Sequence, residues 1–408
     1  MRVAKWGMHV ATSLRSLSAT GVMRVNTDDM AESTSPRIQV GNAIWLLIFC
    51  LTGISIGMTF EILQLHAGPA RYKTFFLALL GYWAQFVASG SWLLYTGTWK
   101  RGTWSRGCVI ALVFSACLDG SAQALNYVAQ IQGGIMLFTI FQSSVTLFAC
   151  LVALLLPWTP RLHWKQWIGV CLIVAGLMLT SIPNPIVARQ SFVLGLACSM
   201  LGSLCLACSY PICELVFKLS PAPPSEEMAC FCGSVVNVVA FSTWTAVYTI
   251  PRWREAVVQP IYEASSPSIG WAIFGYTLFA FLIGTHALCF WKAVHCMGTV
   301  PTAVSKGVQQ SGVFLFAHIL FCHQDPTECL WNNDHTKANT LWNRWQKSAA
   351  LACCCTGVMI YSLSKRPVRP AMPETMEPAP TIDSEYATTE LISYSAAAEC
   401  SSDKNFDT

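Results

Sequence analysis

Charge is scarce in this chain. Of 408 residues, 25 are Lys or Arg and 21 are Asp or Glu, 11% in all, where an ordinary soluble domain carries about 25%. The formal balance of +4 excludes a nucleic-acid binder that works by bulk positive charge. No Walker motif and no HExxH occurs, so neither ATP-driven pumping nor zinc-peptidase chemistry is suggested. A clustered His/Asp or Cys/His set of the kind a membrane enzyme needs near one face is also lacking. The chain therefore reads as a non-enzyme with no bound organic cofactor and no metal. Cysteine, by contrast, is plentiful at 19 residues. Most lie inside apolar runs, as Cys205, Cys208, Cys289 and Cys353 to Cys355 do, and there cysteine acts as a small hydrophobe. Apolar residues make up 54% of the chain, and mean hydropathy is +0.47. That is too much for one buried core, and a polytopic membrane protein in contact with lipid remains.

A helix needs about 20 mostly apolar residues to cross the hydrocarbon core. Ten segments qualify: Ala43–Leu65, Thr74–Tyr95, Gly107–Ala129, Gly133–Leu156, Trp164–Ile182, Ser191–Phe217, Met228–Ile250, Ser268–Lys292, Thr299–Phe321 and Lys347–Leu363. The expected fold is an all-α bundle of ten transmembrane helices, because backbone polar groups in lipid must be satisfied internally. Residues 1–42 form an N-terminal tail with five basic residues and no acid before Asp28. It reads as a cytosolic arm, and its composition also fits a targeting segment. Residues 364–408 begin with Lys365, Arg366 and Arg369 and continue rich in Pro, Ser, Thr and Glu, as disordered tails are. An even number of spans puts both tails on one side, and their basic residues make that side cytosolic.

Ten spans divide into two fives, residues 43–182 and 191–363. The fourth and ninth spans both start after a glycine corner, and at a shift of 164 Gln142 aligns with Lys306. The fifth and tenth match at a shift of 181, which lays Gly176-Leu-Met over Gly357-Val-Met. Five is odd, so the second half is expected to be inverted in the membrane, the architecture of many secondary transporters.

Ionisable and amide side chains are costly in hydrocarbon and tend to face a cavity. The third span carries Asp119, Gln123, Asn126 and Gln130 on one helical stripe. The fourth carries Thr139, Gln142, Ser143 and Thr146, and the ninth carries Thr302, Lys306, Gln309 and Gln310. Hydroxyls alone read as glue between helices. Asp119 and Lys306 read as cavity residues, free to pair with each other. The candidate solute-binding set is Asp119, Gln123, Asn126, Gln142, Thr146, Lys306, Gln309 and Gln310. Asp119 is also a candidate for a coupled proton, since a carboxyl group removed from water favours its neutral form. Glu61 and Glu214 stand near span ends within reach of water, and His286 and His318 read as packed bundle histidines. Cys322 and Cys329 flank the one long link on the non-cytosolic side, where an oxidising compartment permits a disulfide.

The run from Gln142 to Phe148 and the run from Trp167 to Leu177, set in two five-helix halves, resemble the drug/metabolite transporter superfamily. Leu118-Asp119, the stretch Cys213 to Lys218, Val247 to Pro251, and the ninth span around Gln309 are most similar to its chloroquine-resistance-transporter-like branch. The resemblance covers about residues 43–363. It implies cytosolic tails and a central cavity for amino acids, short peptides, thiols such as glutathione, or organic cations. It also implies an organelle membrane, a plastid envelope or a vacuole-like compartment, rather than the plasma membrane. The link Pro251–Pro267 is short and cysteine-free, where the parasite members carry a long cysteine-bearing loop. The expected function is secondary transport by alternating access, with the bilayer and a small polar solute as partners. A nucleotide-sugar or organic-phosphate exchanger and a non-transporting multispan protein are the alternatives.

Overall fold

The structure, a computed structural model, describes residues 36–64, 70–98, 104–142, 144–156, 162–180, 190–219, 222–263, 269–321 and 340–364. Among them the regular structure is all helical. The helices are α1 (Pro36–Ile62), α2 (Phe76–Thr96), α3 (Arg106–Gln142), α4 (Ser144–Leu155), α5 (Trp164–Thr180) and α6 (Gln190–Lys218). They are followed by α7 (Glu226–Trp244), α8 (Gln259–Glu263), α9 (Ile269–Met297), α10 (Thr299–Phe321) and α11 (Thr340–Leu363). Six carry stretches long and apolar enough to cross a membrane, within α1, α2, α3, α6 and α9 and from Glu226 to Arg252. Large apolar side chains such as Leu94, Ile110, Val239, Val247 and Phe281 point outward. An outer surface of that kind suits lipid rather than water, and the chain is built as a multi-pass membrane protein.

Two expectations of local structure are corrected. The third and fourth segments were expected to part at Gly133-Gly134, but α3 runs unbroken to Gln142. A glycine inside a helix costs only about 1 kcal/mol, so the pair permits a break without requiring one. The link after the seventh segment is likewise not a bare loop. It winds as π and 3₁₀ turns from Thr245 to Val258 and enters α8.

The helices pack mainly in antiparallel pairs. α3 lies along α6, with Cys108 against Val216, Ser115 against Cys213 and Asn126 against Gly202. α1 lies along α9, with Thr52 meeting His286 and Leu63 meeting Gly275. α2 runs beside α7, where Tyr82 stacks on Phe241 and Phe86 on Phe231. α5 and α11 touch through backbone at three glycines. A Cβ on Gly169 would stand 2.6 Å from the Gly357 carbonyl oxygen, one on Gly357 2.6 Å from that of Gly169, and one on Gly176 2.6 Å from that of Ala350. Small residues let membrane helices approach in this way.

At one end of the bundle, Gly298 takes a φ of 84°, the left-handed conformation glycine adopts without penalty, and turns α9 into α10. The freed amide groups at the start of α10 are capped by Glu214 of α6. Its carboxylate accepts from the Thr299 amide at 2.9 Å and the Thr299 hydroxyl at 2.5 Å, and it pairs with Lys218. Glu214 and Glu61 are both buried, where their positions near span ends suggested exposure. A buried carboxylate at a helix N-terminus is stabilised by the unpaired amides and the helix dipole.

Candidate functional site

The packing of α1, α2, α3, α6, α7, α9 and α10 leaves a central cavity of ≈ 190 Å³. Seven of the eight residues singled out from sequence line it: Asp119, Gln123, Asn126, Gln142, Lys306, Gln309 and Gln310, with Gln130 of the same stripe. The eighth, Thr146, is turned away. Its hydroxyl donates to the Ala303 carbonyl at 2.9 Å and ties α4 to α10. A hydroxyl in lipid gains most by bonding a neighbouring helix, so Thr146 is glue. Thr302 bonds its own helix, to Gly298 O at 2.8 Å. Ser143, Cys322 and Cys329 lie outside the described residues, as do the side chains of Thr139 and His318.

The two charges of the cavity are held separately. Asp119 accepts from the Tyr82 hydroxyl at 2.8 Å, and Gln123 lines the cavity beside it. Tyr82 is 2% exposed and stacked on Phe241 at 5.4 Å, which fixes the donor. Lys306 does not pair with Asp119. Its Nζ lies 2.8 Å from His286 Nε2 and 5.1 Å from the centre of the Phe49 ring. The ring of His286 lies nearly parallel to that of Phe49, centres 4.5 Å apart, and its Nδ1 meets the Thr52 hydroxyl at 3.0 Å. An ammonium group offers only donors, so with Lys306 charged Nε2 accepts. The ring proton then sits on Nδ1 and is donated to Thr52, whose hydroxyl donates to Ile48 O at 2.8 Å. Every link in that chain is satisfied in one direction. His286, expected to be a packing residue, is thus a member of the cavity.

The amides are used unequally. Gln310 Nε2 donates to Gln142 Oε1 at 3.2 Å across α10 and α3; the alignment at a shift of 164 had set Lys306 opposite Gln142. Gln309 Nε2 donates to Phe49 O at 3.0 Å. Its side chain fills the space above Gly53, where a Cβ would collide with it. Gly53-Ile-Ser55-Ile-Gly57 spells the GxSxG pattern of hydrolases, but it lies inside α1 rather than at a strand-to-helix turn. Its glycines serve packing against Gln309 and Val313. Asn126 and Tyr210 are buried with no hydrogen-bond partner for the amide or the phenol among the described residues. Outside the cavity, Glu226, His295 and Cys296 bring a carboxylate, an imidazole and a thiol within 4.8 Å of one another. That set could hold a metal ion, and the carboxylate and imidazole already bond at 2.6 Å.

Tyr82, Phe49 and Tyr210 were not picked out from sequence, and His286 was read there only as a packing residue. They look like ordinary aromatic residues of apolar helices, and only the crossing of α2, α6 and α9 over α1 and α3 brings Tyr82, Tyr210 and His286 to the cavity and stacks Phe49 on His286.

No protein-family model and no curated protein matches this sequence. A crystal structure of a protein matches over 78% of this chain and 98% of its own, at 12% identity and a TM-score of 0.53. That likeness is one of fold.

Proposed function

We propose that this chain is a secondary transporter that carries a small polar solute by alternating access. The observation behind the reading is the cavity itself. It holds a carboxylate and an ammonium group, each anchored by a neutral partner and neither spent on the other. Such charges are expensive at membrane depth and mark solute paths by default. One fixed anion and one fixed cation in a space of ≈ 190 Å³ suit a zwitterion of amino-acid size, whose ammonium faces Asp119 and whose carboxylate faces Lys306. Among the described residues Lys306 is the one lysine of the lining, and arginine contributes none. That supply is poor for the phosphates of a nucleotide sugar or organic phosphate.

The ten-span inverted repeat belongs to the same proposal, and the packing supports it. Let α1 to α5 exchange with α6, α7, α9, α10 and α11. The α3–α6 pair then becomes α9–α1, α4–α6 becomes α10–α1, and α5–α11, α2–α7 and α4–α10 map onto themselves; all of these pairs are in contact. The α5–α11 seam obeys the exchange residue by residue. Gly169 and Ala350, Ile173 and Cys354, and Gly176 and Gly357 stand at the same separation of 181 positions; the approach of Gly169 to Gly357 is mirrored by that of Gly176 to Ala350, that of Gly357 to Ile173 by that of Gly176 to Cys354, and the Ile173–Cys354 contact maps onto itself. Membership of the chloroquine-resistance-transporter-like branch, cytosolic tails and an organelle membrane complete the reading.

Purified protein in liposomes, offered labelled leucine, glutamate, lysine, glutathione, a dipeptide and a nucleotide sugar, tests it. Saturable uptake of the zwitterions is expected. Counterflow of the nucleotide sugar alone, or no uptake of any probe, refutes the proposal.

A further inference from the structure

Two opposite charges facing one small cavity should find each other. Lysine carries its charge on a flexible four-carbon stem, and attraction to a carboxylate strengthens as water is excluded. Yet Lys306 and Asp119, both lining the cavity, stay apart. The arrangement around Lys306 explains how. Its Nζ donates to His286 Nε2 at 2.8 Å and sits over the face of Phe49 at 5.1 Å, a favourable cation–ring contact. His286 cannot yield easily, because its second nitrogen is tied to Thr52 at 3.0 Å and its ring is stacked on Phe49 at 4.5 Å. Phe49 is fixed in turn by Gln309, which donates to its carbonyl at 3.0 Å. On the far side, Tyr82 occupies Asp119 at 2.8 Å. We infer that His286 is a positioning residue: with Thr52 and Phe49 it seats Lys306 away from Asp119, so that both charges stay open to one solute. The inference rests on the reading of the cavity as a solute site, and it assigns a specificity role to a residue that touches no other charged group of the cavity.

The test needs a readout apart from transport. A cysteine placed at Gln142, on the cavity wall, is modified by sulfonatoethyl or trimethylammonioethyl methanethiosulfonate, and the rates at that one site are followed by mass spectrometry. The ratio of anionic to cationic rates reports how exposed the lysine charge is. In the His286→Ala background Lys306 is free to pair with Asp119, and the ratio should fall by about five-fold, the scale of a local charge effect on encounter. His286→Gln, which can still accept from Lys306, should keep the ratio. Adding Asp119→Asn to His286→Ala should restore it, because no carboxylate remains to capture the lysine. An unchanged ratio in His286→Ala, or a fall that persists when Asp119 is removed, overturns the inference. Should His286→Ala fail to fold, Thr52→Val loosens the same seat with little change in volume; it should lower the ratio by about two-fold, and no change there overturns the inference equally. Leucine uptake by the same preparations separates the two proposals. Absence of uptake in the parent protein with the labelling pattern intact refutes transport and leaves the seating of Lys306 standing.

Discussion

Replacing Gly169 by alanine should destabilise the bundle, and the structure sets the size of the effect. A Cβ there would stand 2.6 Å from Gly357 O, 2.9 Å from Tyr361 N and 3.0 Å from Tyr361 Cβ. Two of those neighbours are backbone, so no side chain can swing aside and α5 must move off α11. Forcing an extra methyl into a packed seam costs about 1–3 kcal/mol, and a helix gains up to about 1 kcal/mol when glycine becomes alanine. The net expectation is a loss of about 1–2 kcal/mol. Gly233 provides the matched control. Its Cβ would meet nothing nearer than Trp291 at 3.7 Å, ordinary contact distance, so Gly233→Ala should gain the propensity term and pay no steric one. Thermal melting of detergent-purified protein should therefore move in opposite directions for the two variants, by about 2–4 °C each. Gly169→Ala and Gly357→Ala together should cost less than the sum of the singles, because the first substitution already opens the seam for the second. If Gly169→Ala melts at or above the parent temperature, α5 and α11 do not meet as described and the reasoning fails.

Asp119→Asn should lower zwitterion uptake at least ten-fold per folded molecule, as loss of a charged substrate contact does, and should flatten the pH profile of uptake where that carboxylate carries the coupled proton. Tyr82→Phe removes one donor to the same carboxylate and should cost less, about three- to ten-fold. Lys306→Gln should shift selectivity, reducing uptake of glutamate more than of lysine in competition assays at equal protein. Glu214→Ala leaves the start of α10 uncapped and Lys218 without its partner; melting should reveal a loss of about 1–3 kcal/mol, while Lys218→Ala should cost less, since Lys218 is a third exposed.

The legible part of this fold was the part written in hydropathy and in charge. Each of the ten segments is helical over most of its length, and six helices are long and apolar enough to cross a membrane, where a backbone must satisfy itself. Asp119 and Lys306 announced themselves because an ionisable residue in an apolar run has to be either satisfied or useful. The stripe through Gln123, Asn126 and Gln130 followed from helical spacing alone, and all of it lines the cavity. Periodicity failed where it had to. It assigns a face within one helix and says nothing of what that face meets, so Thr146 entered the candidate set beside Gln142, although as a hydroxyl it also read as glue; it bonds Ala303 O while Gln142 faces the cavity. The glycine corner at Gly133-Gly134 misled for a related reason: glycine permits a break without requiring one.

What remained hidden is the set of neutral partners, and the reason is physical rather than statistical. A charge declares its cost locally, whereas the group that offsets the cost is defined by where another helix crosses. His286 lies 20 residues from Lys306 and 234 from Thr52, in a run whose composition suits lipid as well as any other. Tyr82 lies 37 residues from Asp119, in a helix with no charge at all. Each became visible only once the antiparallel pairing of α1 with α9 and the crossing of α2 near α3 were known. The 181-residue register of α5 and α11 is the exception that shows the rule. There the requirement is for smallness on both partners, smallness is visible in sequence as glycine or alanine, and the same spacing recurs in both helices because each is the other's wall.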